Sequence, residues 1–368
     1  MNVVFVTQII DDADPVLGFV PRQLQVLAEH VDRLVVIANE VHAVPHYLDA
    51  EVISLGKEDG HGQAARTLRY EAAVTRLGMR LRPATLVAHM CPIYLTVGTP
   101  AAKATGMRTL LWFVHPNYTV SLRVAERLAD GVLTALPSSY PRPGPKVRVI
   151  GHAINTELFA FSPLTRGSGP LKLLALGRTS PMKGYPLMLE AVSRARAAGT
   201  DVELTIVGPS QSASQKHHRQ ELERLVAELK IGDAVRLEDG AAPSELPKLV
   251  SEADVVVNAH KHGSADKVVF EAMAAGRPVL VSSAAFDPLI ADLPLRLGFS
   301  EGDAADLAKR MSELAAAGSD QLSETGTLLS QRVEREHSLG HWSKQVVNVC
   351  DQVHGQTAGI AARLRAPR

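Results

Sequence analysis

The chain has little that would tie it to an oxidising compartment, a membrane or a nucleic acid. Its 368 residues include two cysteines, Cys91 and Cys350, far apart and in no metal-like spacing, which excludes a disulfide framework and points to a reducing compartment. Basic and acidic residues are equal at 39 each, so no global field favours a nucleic acid, and none is expected as a partner. No apolar run is long enough to span a bilayer. The opening MNVVFVTQII lacks a basic stretch and runs into Asp11 and Asp12, unlike a signal peptide, so a cytoplasmic location is expected. Only 4% of residues are aromatic, and the 46% hydrophobic content is largely aliphatic and Ala, suited to buried strands and helices.

At this length two domains of ordinary size are expected. Strand-like runs at Val3–Val6, Leu34–Ile37, Glu51–Ser54, Thr85–His89, Arg108–His115, Gly131–Ala135 and Lys146–Ile150 alternate with helical periodicity, beginning with Gln23–His30. After Phe159 the composition changes to SPLTRGSGP, which reads as a hinge or linker. A second series follows. Strands are expected at Leu171–Leu176, Val202–Val207, Ala234–Leu237, Asp254–Asn258 and Pro278–Ser282, with helices at Tyr185–Ala197, Gln220–Leu229, Ser244–Glu252 and about Ala304–Ala316. The segment from Leu322 to about Val353 is helical in pattern. Alternation of this kind predicts doubly wound parallel sheets, one over residues 1–160 and one over 170–335.

One stretch, Gly263 to Leu280, organises the rest. Ser264 is an N-cap candidate, an Ala- and Val-rich run supports a helix through Ala275, Gly276 suits a left-handed C-terminal position, and Pro278 opens an apolar strand. Lys267 and Glu271 lie four apart in an otherwise apolar helix, so they share a face. One reading is a buried structural pair. The other is a nucleotide site, in which backbone N–H groups at the helix start meet an anion and the Glu271 carboxylate accepts the hydroxyls of a ribose.

This stretch resembles the signature helix of the retaining glycosyltransferases of family four. In that family a Glu is followed, at a fixed distance, by a second Glu and Ala-Met-Ala-x-Gly-x-Pro, and Glu271 to Pro278 matches the second half residue by residue. The resemblance implies an α/β chain of the GT-B fold, two Rossmann-like domains facing a central cleft, with a helix at about 340–368 packing back on the first domain. It implies that Glu271 holds the ribose of a nucleotide sugar. Gly263 stands where the first Glu would be, and Ser264, Ala265, Asp266 and Lys267 occupy the phosphate turn, which adds a cation there.

GRTSPMKG, Gly177 to Gly184, follows the first strand of the second series and precedes a helix, where ligands bind in an open α/β sheet. Arg178 and Lys183 would there be two fixed cations beside a diphosphate, stabilising a leaving nucleotide without a metal. Solvated loop cations are the alternative. The spacing also resembles the Gly-Arg…Lys-Gly motif of the same family. Gly208, in IVGPS, and the Glu238–Gly240 turn end successive strands on that edge, where family members house the base. In the first domain the resemblance implies a donor-sugar contact from a His after a strand, assigned to His115 with His89 as competitor, and a phosphate-approaching Gly18.

Asp12-Ala-Asp14 is formally an Asp-x-Asp metal pattern but belongs to a different architecture, so no metal and no resident cofactor are expected. Lys216-His217-His218-Arg219 and His260-Lys261-His262 read as solvated loops. Arg66, Arg69, Arg76 and Arg80 recur at helical spacing. They make either a solvated face or a basic helix for an anionic membrane, which would place the protein at the inner membrane face.

The reading is a metal-independent transferase that moves a sugar, with retention, from a nucleoside-diphosphate donor to an acceptor hydroxyl on a glycan, lipid-linked glycan or small molecule. Two alternatives stay open: a nucleotide-sugar-binding protein without turnover, and a GT-B epimerase or phosphorylase.

Overall fold

The computed structural model describes residues 1–14, 16–260 and 265–365. Two units divide it, the first comprising 1–153 and 339–368 and the second 154–338.

The first unit begins β1 (Asn2–Ile10), α1 (Val20–Ala28), β2 (Arg33–Val41), β3 (Glu51–Ser54), α2 (Gln63–Arg80), β4 (Ala84–His89) and α3 (Pro92–Ala104). It continues with β5 (Arg108–Trp112), α4 (Val120–Leu128), β6 (Gly131–Thr134) and β7 (Val147–Val149). The seven strands pair in parallel in the order β3-β2-β1-β4-β5-β6-β7. β1 is central, with Val4 opposite both Val35 and Leu86. Its apolar run Val3–Val6 is what a strand covered on both faces requires.

The second unit contains β8 (Leu171–Leu176), α5 (Tyr185–Ala197), β9 (Val202–Val207), α6 (Ala213–Glu228), β10 (Val235–Glu238), α7 (Leu246–Glu252) and β11 (Val255–Asn258). Next come α8 (Lys267–Ala274), β12 (Val279–Val281), α9 (Asp287–Ile290), α10 (Ala304–Ala316) and α11 (Ser319–His337). The sheet is parallel in the order β10-β9-β8-β11-β12. The expected pair of doubly wound sheets is therefore present.

The final helix, α12 (Leu339–Arg365), belongs to the first unit. Trp342 is fully buried there and meets Trp112 edge-on at 5.5 Å, and Val346, Val349 and Cys350 join the core of Val3 and Phe5.

Several elements differ from expectation for identifiable reasons. The helical pattern from Leu322 to Val353 is two helices, because Ser338 is extended and forms a parallel bridge with Ile154, whose N–H bonds the His337 carbonyl at 2.7 Å. SPLTRGSGP is pinned into the second unit. Buried Arg277 donates to the Ser162 carbonyl at 3.1 Å and hydroxyl at 2.7 Å, and Arg166 donates to the Ala315 carbonyl at 2.8 Å. Lys216 to Arg219 lie on α6, opened by a reciprocal capping box between Ser212 and Gln215, so they are not loop residues. His218 is buried and bonds Glu221 at 2.9 Å.

Candidate functional site

In the second unit the chain winds from β8 out through β9 and β10, then returns to the other side of β8 at β11. Ligands in open α/β sheets bind outside the carboxyl ends of the strands at such a reversal. Two segments meet at this one, the GRTSPMKG loop after β8 and the segment between β11 and α8.

Glycine makes their approach feasible. Gly184 has φ +67°, and a Cβ there would lie 2.4 Å from the Ala259 carbonyl oxygen just past β11. The Lys183 ammonium forms an ion pair with Asp266, and Asn258 Nδ2 donates to the same carboxylate oxygen at 3.0 Å. Asn258 Oδ1 in turn accepts the His260 N–H at 3.3 Å. The Lys183 stem crosses Gly177, where a Cβ would fall 2.6 Å from Lys183 Cε. Tyr185 donates its hydroxyl to the Gly177 carbonyl at 2.6 Å. The two loops are thus tied by charge at the crevice and by packing beneath it.

Asp266 stands at the N-cap position of α8 without a side-chain capping bond, and Lys267 and Glu271 stand one turn apart on the helix, both half-buried. Burial pushes the Glu271 carboxyl above the usual carboxylate range; Lys267 opposes this and Asp266 adds to it. Burial pulls the Lys267 ammonium down, and Glu271 opposes that. Each group holds the other nearer its charged form, as their spacing predicts.

The expected helix start at Ser264 moves, since α8 begins at Lys267 with Asp266 as its cap. Gly263 and Ser264 lie outside the described residues, as do Lys261 and His262; Ala265 precedes the cap. Arg178 is exposed on the loop and ion-pairs with no described residue, whereas Lys183, expected as a second open cation, is neutralised by Asp266. Gly208 is buried and a Cβ there would lie 1.9 Å from the Gly177 carbonyl oxygen, while Thr179 bonds the Gly208 carbonyl at 3.2 Å. Its packing between the β8 and β9 loops accounts for glycine there. Asn258, Thr179 and Tyr185 were not anticipated; a polar residue ending a buried strand was the available signal for Asn258.

In the first unit β5 stops at Trp112, so His115 lies in the exposed segment beyond it, its Nδ1 accepting the Asn117 N–H at 3.1 Å. His89 is buried against Thr7 Oγ1 at 3.0 Å. The Gly18 N–H bonds the Asp14 carbonyl at 3.0 Å, and a Cβ there would meet the Asp14 and Asp12 carbonyls at 2.5 and 2.7 Å. The Asp14 carboxylate accepts the N–H groups of Val16 and Leu17 at 2.9 and 2.6 Å. On α2, Arg69, Arg76 and Arg80 are exposed and Arg66 is half-buried. Arg66 bonds Asn39, Arg69 bonds the Leu55 carbonyl at 3.4 Å, and Arg80 bonds Glu51 at 2.6 Å. Among the described residues no helix is long and apolar enough to cross a membrane.

Residues 170–317, which hold this crevice, match the family described as Glycosyl transferases group 1. The D-inositol 3-phosphate glycosyltransferase of Thermobispora bispora is 30% identical over 175 residues, 44% of this chain and 40% of that protein. The lipopolysaccharide 1,2-N-acetylglucosaminetransferase of Salmonella typhimurium is 34% identical over 113 residues, 30% of this chain and 29% of that protein. The chain thus covers less than half the length of these curated relatives. Among solved structures, a Rickettsia africae glycosyltransferase matches with a TM-score of 0.76 at 15% identity, covering 95% of this chain and 98% of that one. Anabaena HepE in complex with UDP matches at 0.75 and 17%, covering 96% and 100%. Residues 170–317 are thus similar to the group 1 glycosyltransferases, and the chain that carries them has the GT-B fold.

Proposed function

We propose that the protein is a glycosyltransferase that takes a sugar from a nucleoside diphosphate held in the second unit and passes it to an acceptor hydroxyl. The observation that carries this is the assembly of Lys183, Asp266, Lys267 and Glu271 at the sheet reversal within the matched residues. The UDP in the Anabaena relative supports a nucleotide donor.

In this reading Glu271 accepts the ribose hydroxyls. The diphosphate displaces Asp266 from Lys183 and takes its place beside Lys183, Arg178 and Lys267. As the sugar–phosphate bond breaks, its electron pair passes to the departing phosphate, and these cations act on charge that is larger in the transition state than in the ground state. The acceptor oxygen bonds the anomeric carbon and its proton goes to the leaving phosphate. Attack on the face the diphosphate leaves gives retention. The lysines and Arg178 do the electrostatic work otherwise assigned to a metal, so turnover survives EDTA.

The test is calorimetry with UDP and GDP on the wild type and Glu271→Ala, followed by transfer assays with and without EDTA. The reading expects nucleotide binding that weakens in the variant, and metal-independent turnover of a nucleotide sugar. Unchanged affinity in a folded Glu271→Ala protein rejects the ribose assignment. Binding without turnover across a broad donor and acceptor panel leaves a nucleotide-sugar-binding protein.

A further inference from the structure

The sheet of the first unit has its own reversal. From β1 the chain runs out through β2 and β3, then crosses to the other side of β1 at β4. The carboxyl ends of β1 and β4 therefore flank a second crevice of the kind in which ligands bind. A cavity of about 200 Å³ lies there, lined by residues including Gln8, Asn39, Gln63, Arg66, Ile93 and Tyr94. That volume is below the ~300–1,000 Å³ usual for drug-sized ligands, so it admits a small molecule or one end of a larger one.

Its walls are polar and preorganised. Tyr94 donates its hydroxyl to Gln8 Oε1 at 3.0 Å, and the buried Tyr70 fixes the start of α3 by donating to the Tyr94 carbonyl at 2.8 Å. Gln8 Nε2 is turned to Cys91 Sγ. Burial pushes the Tyr94 phenol up, Cys91 adds to this and Arg66 opposes it, so the ring stays a neutral hydrogen-bonding group.

The charge in this crevice is unbalanced. Arg66 bonds the neutral Asn39 amide, and no described carboxylate lies within ion-pair distance of it. Its Nε is buried with no hydrogen-bond partner among the described residues. Arg69 and Arg80, on the same helix, reach a carbonyl and a carboxylate at the rim of β3 instead. A half-buried guanidinium with an unused donor, beside a cavity lined by hydroxyl and amide groups, matches an oxyanion attached to a hydroxylated body.

We propose that this crevice binds a small polyhydroxylated molecule carrying a carboxylate or phosphate, with Arg66 as its counter-ion and Tyr94, Gln8 and Asn39 as partners for its hydroxyls. Calling that molecule the acceptor rests on the transferase reading; its binding does not.

The test is titration calorimetry on the full chain with glycerol 3-phosphate, glucuronate, inorganic phosphate, glycerol and glucose. Each is repeated in Lys183→Ala to weaken anion binding by the second unit. Glycerol 3-phosphate or glucuronate should bind at least tenfold more tightly than its uncharged counterpart, and whichever binds identifies phosphate or carboxylate as the anion. Arg66→Gln should abolish the preference, Arg66→Lys should weaken it, and Arg80→Gln should leave it unchanged. Melting curves check that each variant is folded, and Arg66→Lys serves if Arg66→Gln is not. Equal binding of charged and uncharged molecules overturns the proposal, as does an equal loss in Arg80→Gln. The two readings fail separately. Anion binding without any transfer rejects the transferase and keeps the crevice, whereas transfer to a neutral acceptor with unchanged kcat/KM in Arg66→Gln rejects the crevice and keeps the transferase.

Discussion

The two sheets wind alike, each running outward from its first strand and reversing across it, yet the cations of their crevices are balanced differently. In the second unit the Lys183 cation is met by Asp266, so the crevice carries its own counter-ion. In the first, Arg66 bonds the Asn39 amide and no described carboxylate. A ligand entering the second crevice exchanges one anion for another, while a ligand entering the first supplies the missing one. Shared topology therefore fixes where ligands sit without fixing what they cost to bind.

The comparison can be broken first by removing the paired cation of the second crevice. Lys183→Ala should lower transfer by about 10²–10³-fold, the scale seen when one group aimed at developing charge is lost. Single-turnover assays at saturating donor measure this, and a drop under threefold would deny Lys183 that role. Asn39→Asp would then give the first crevice a counter-ion. An internal partner worth about 1.4 kcal/mol weakens oxyanion binding about tenfold, and calorimetry with glycerol 3-phosphate should show it without change in nucleotide affinity.

Lys267→Met sharpens the contrast through pH. Without Lys267 the Glu271 carboxyl, already raised by burial, rises further. A group whose pKa is higher folded than unfolded stabilises below its unfolded value and loses that contribution as pH rises through the folded value. The melting temperature of the variant should thus fall, relative to wild type, as pH rises above the ordinary carboxylate range; parallel profiles would show that the two groups are uncoupled. The smallest effect is expected from Asp266→Asn. Removing the internal anion while keeping the amide's shape should tighten nucleoside diphosphate binding by about two- to fivefold, with some loss of stability in the free protein, and weaker binding would place Asp266 on the ligand instead.

How much of this was legible depends on the distance between partners. Lys267 and Glu271 are one turn apart, so their coupling follows from spacing alone. The strand Leu171–Leu176 and helix Tyr185–Ala197 run as the sequence predicts, since an apolar run and a glycine set their limits. The capping box of Ser212 and Gln215 was readable too, and heeding it would have placed the following histidines on a helix. Lys183 and Asp266 are 83 residues apart, and Arg66 and Asn39 are 27 apart, so no local pattern joins them. The helix break at Ser338 depends on Ile154, which lies on the far side of the whole second unit in sequence.

That break also bears on how such a protein can be taken apart or recombined. Ile154 and Ser338, the first and last residues of the second unit, lie side by side through the bridge between them and the Ile154 bond to His337. A module whose ends are neighbours needs only one point of attachment in a host chain, and insertions of that kind are tolerated because they leave the host's own termini where they were. Residues 154–338 are in that sense a cassette: a recombination event, natural or engineered, that exchanges them between two such chains would swap the crevice that holds Lys183 without touching the crevice that holds Arg66.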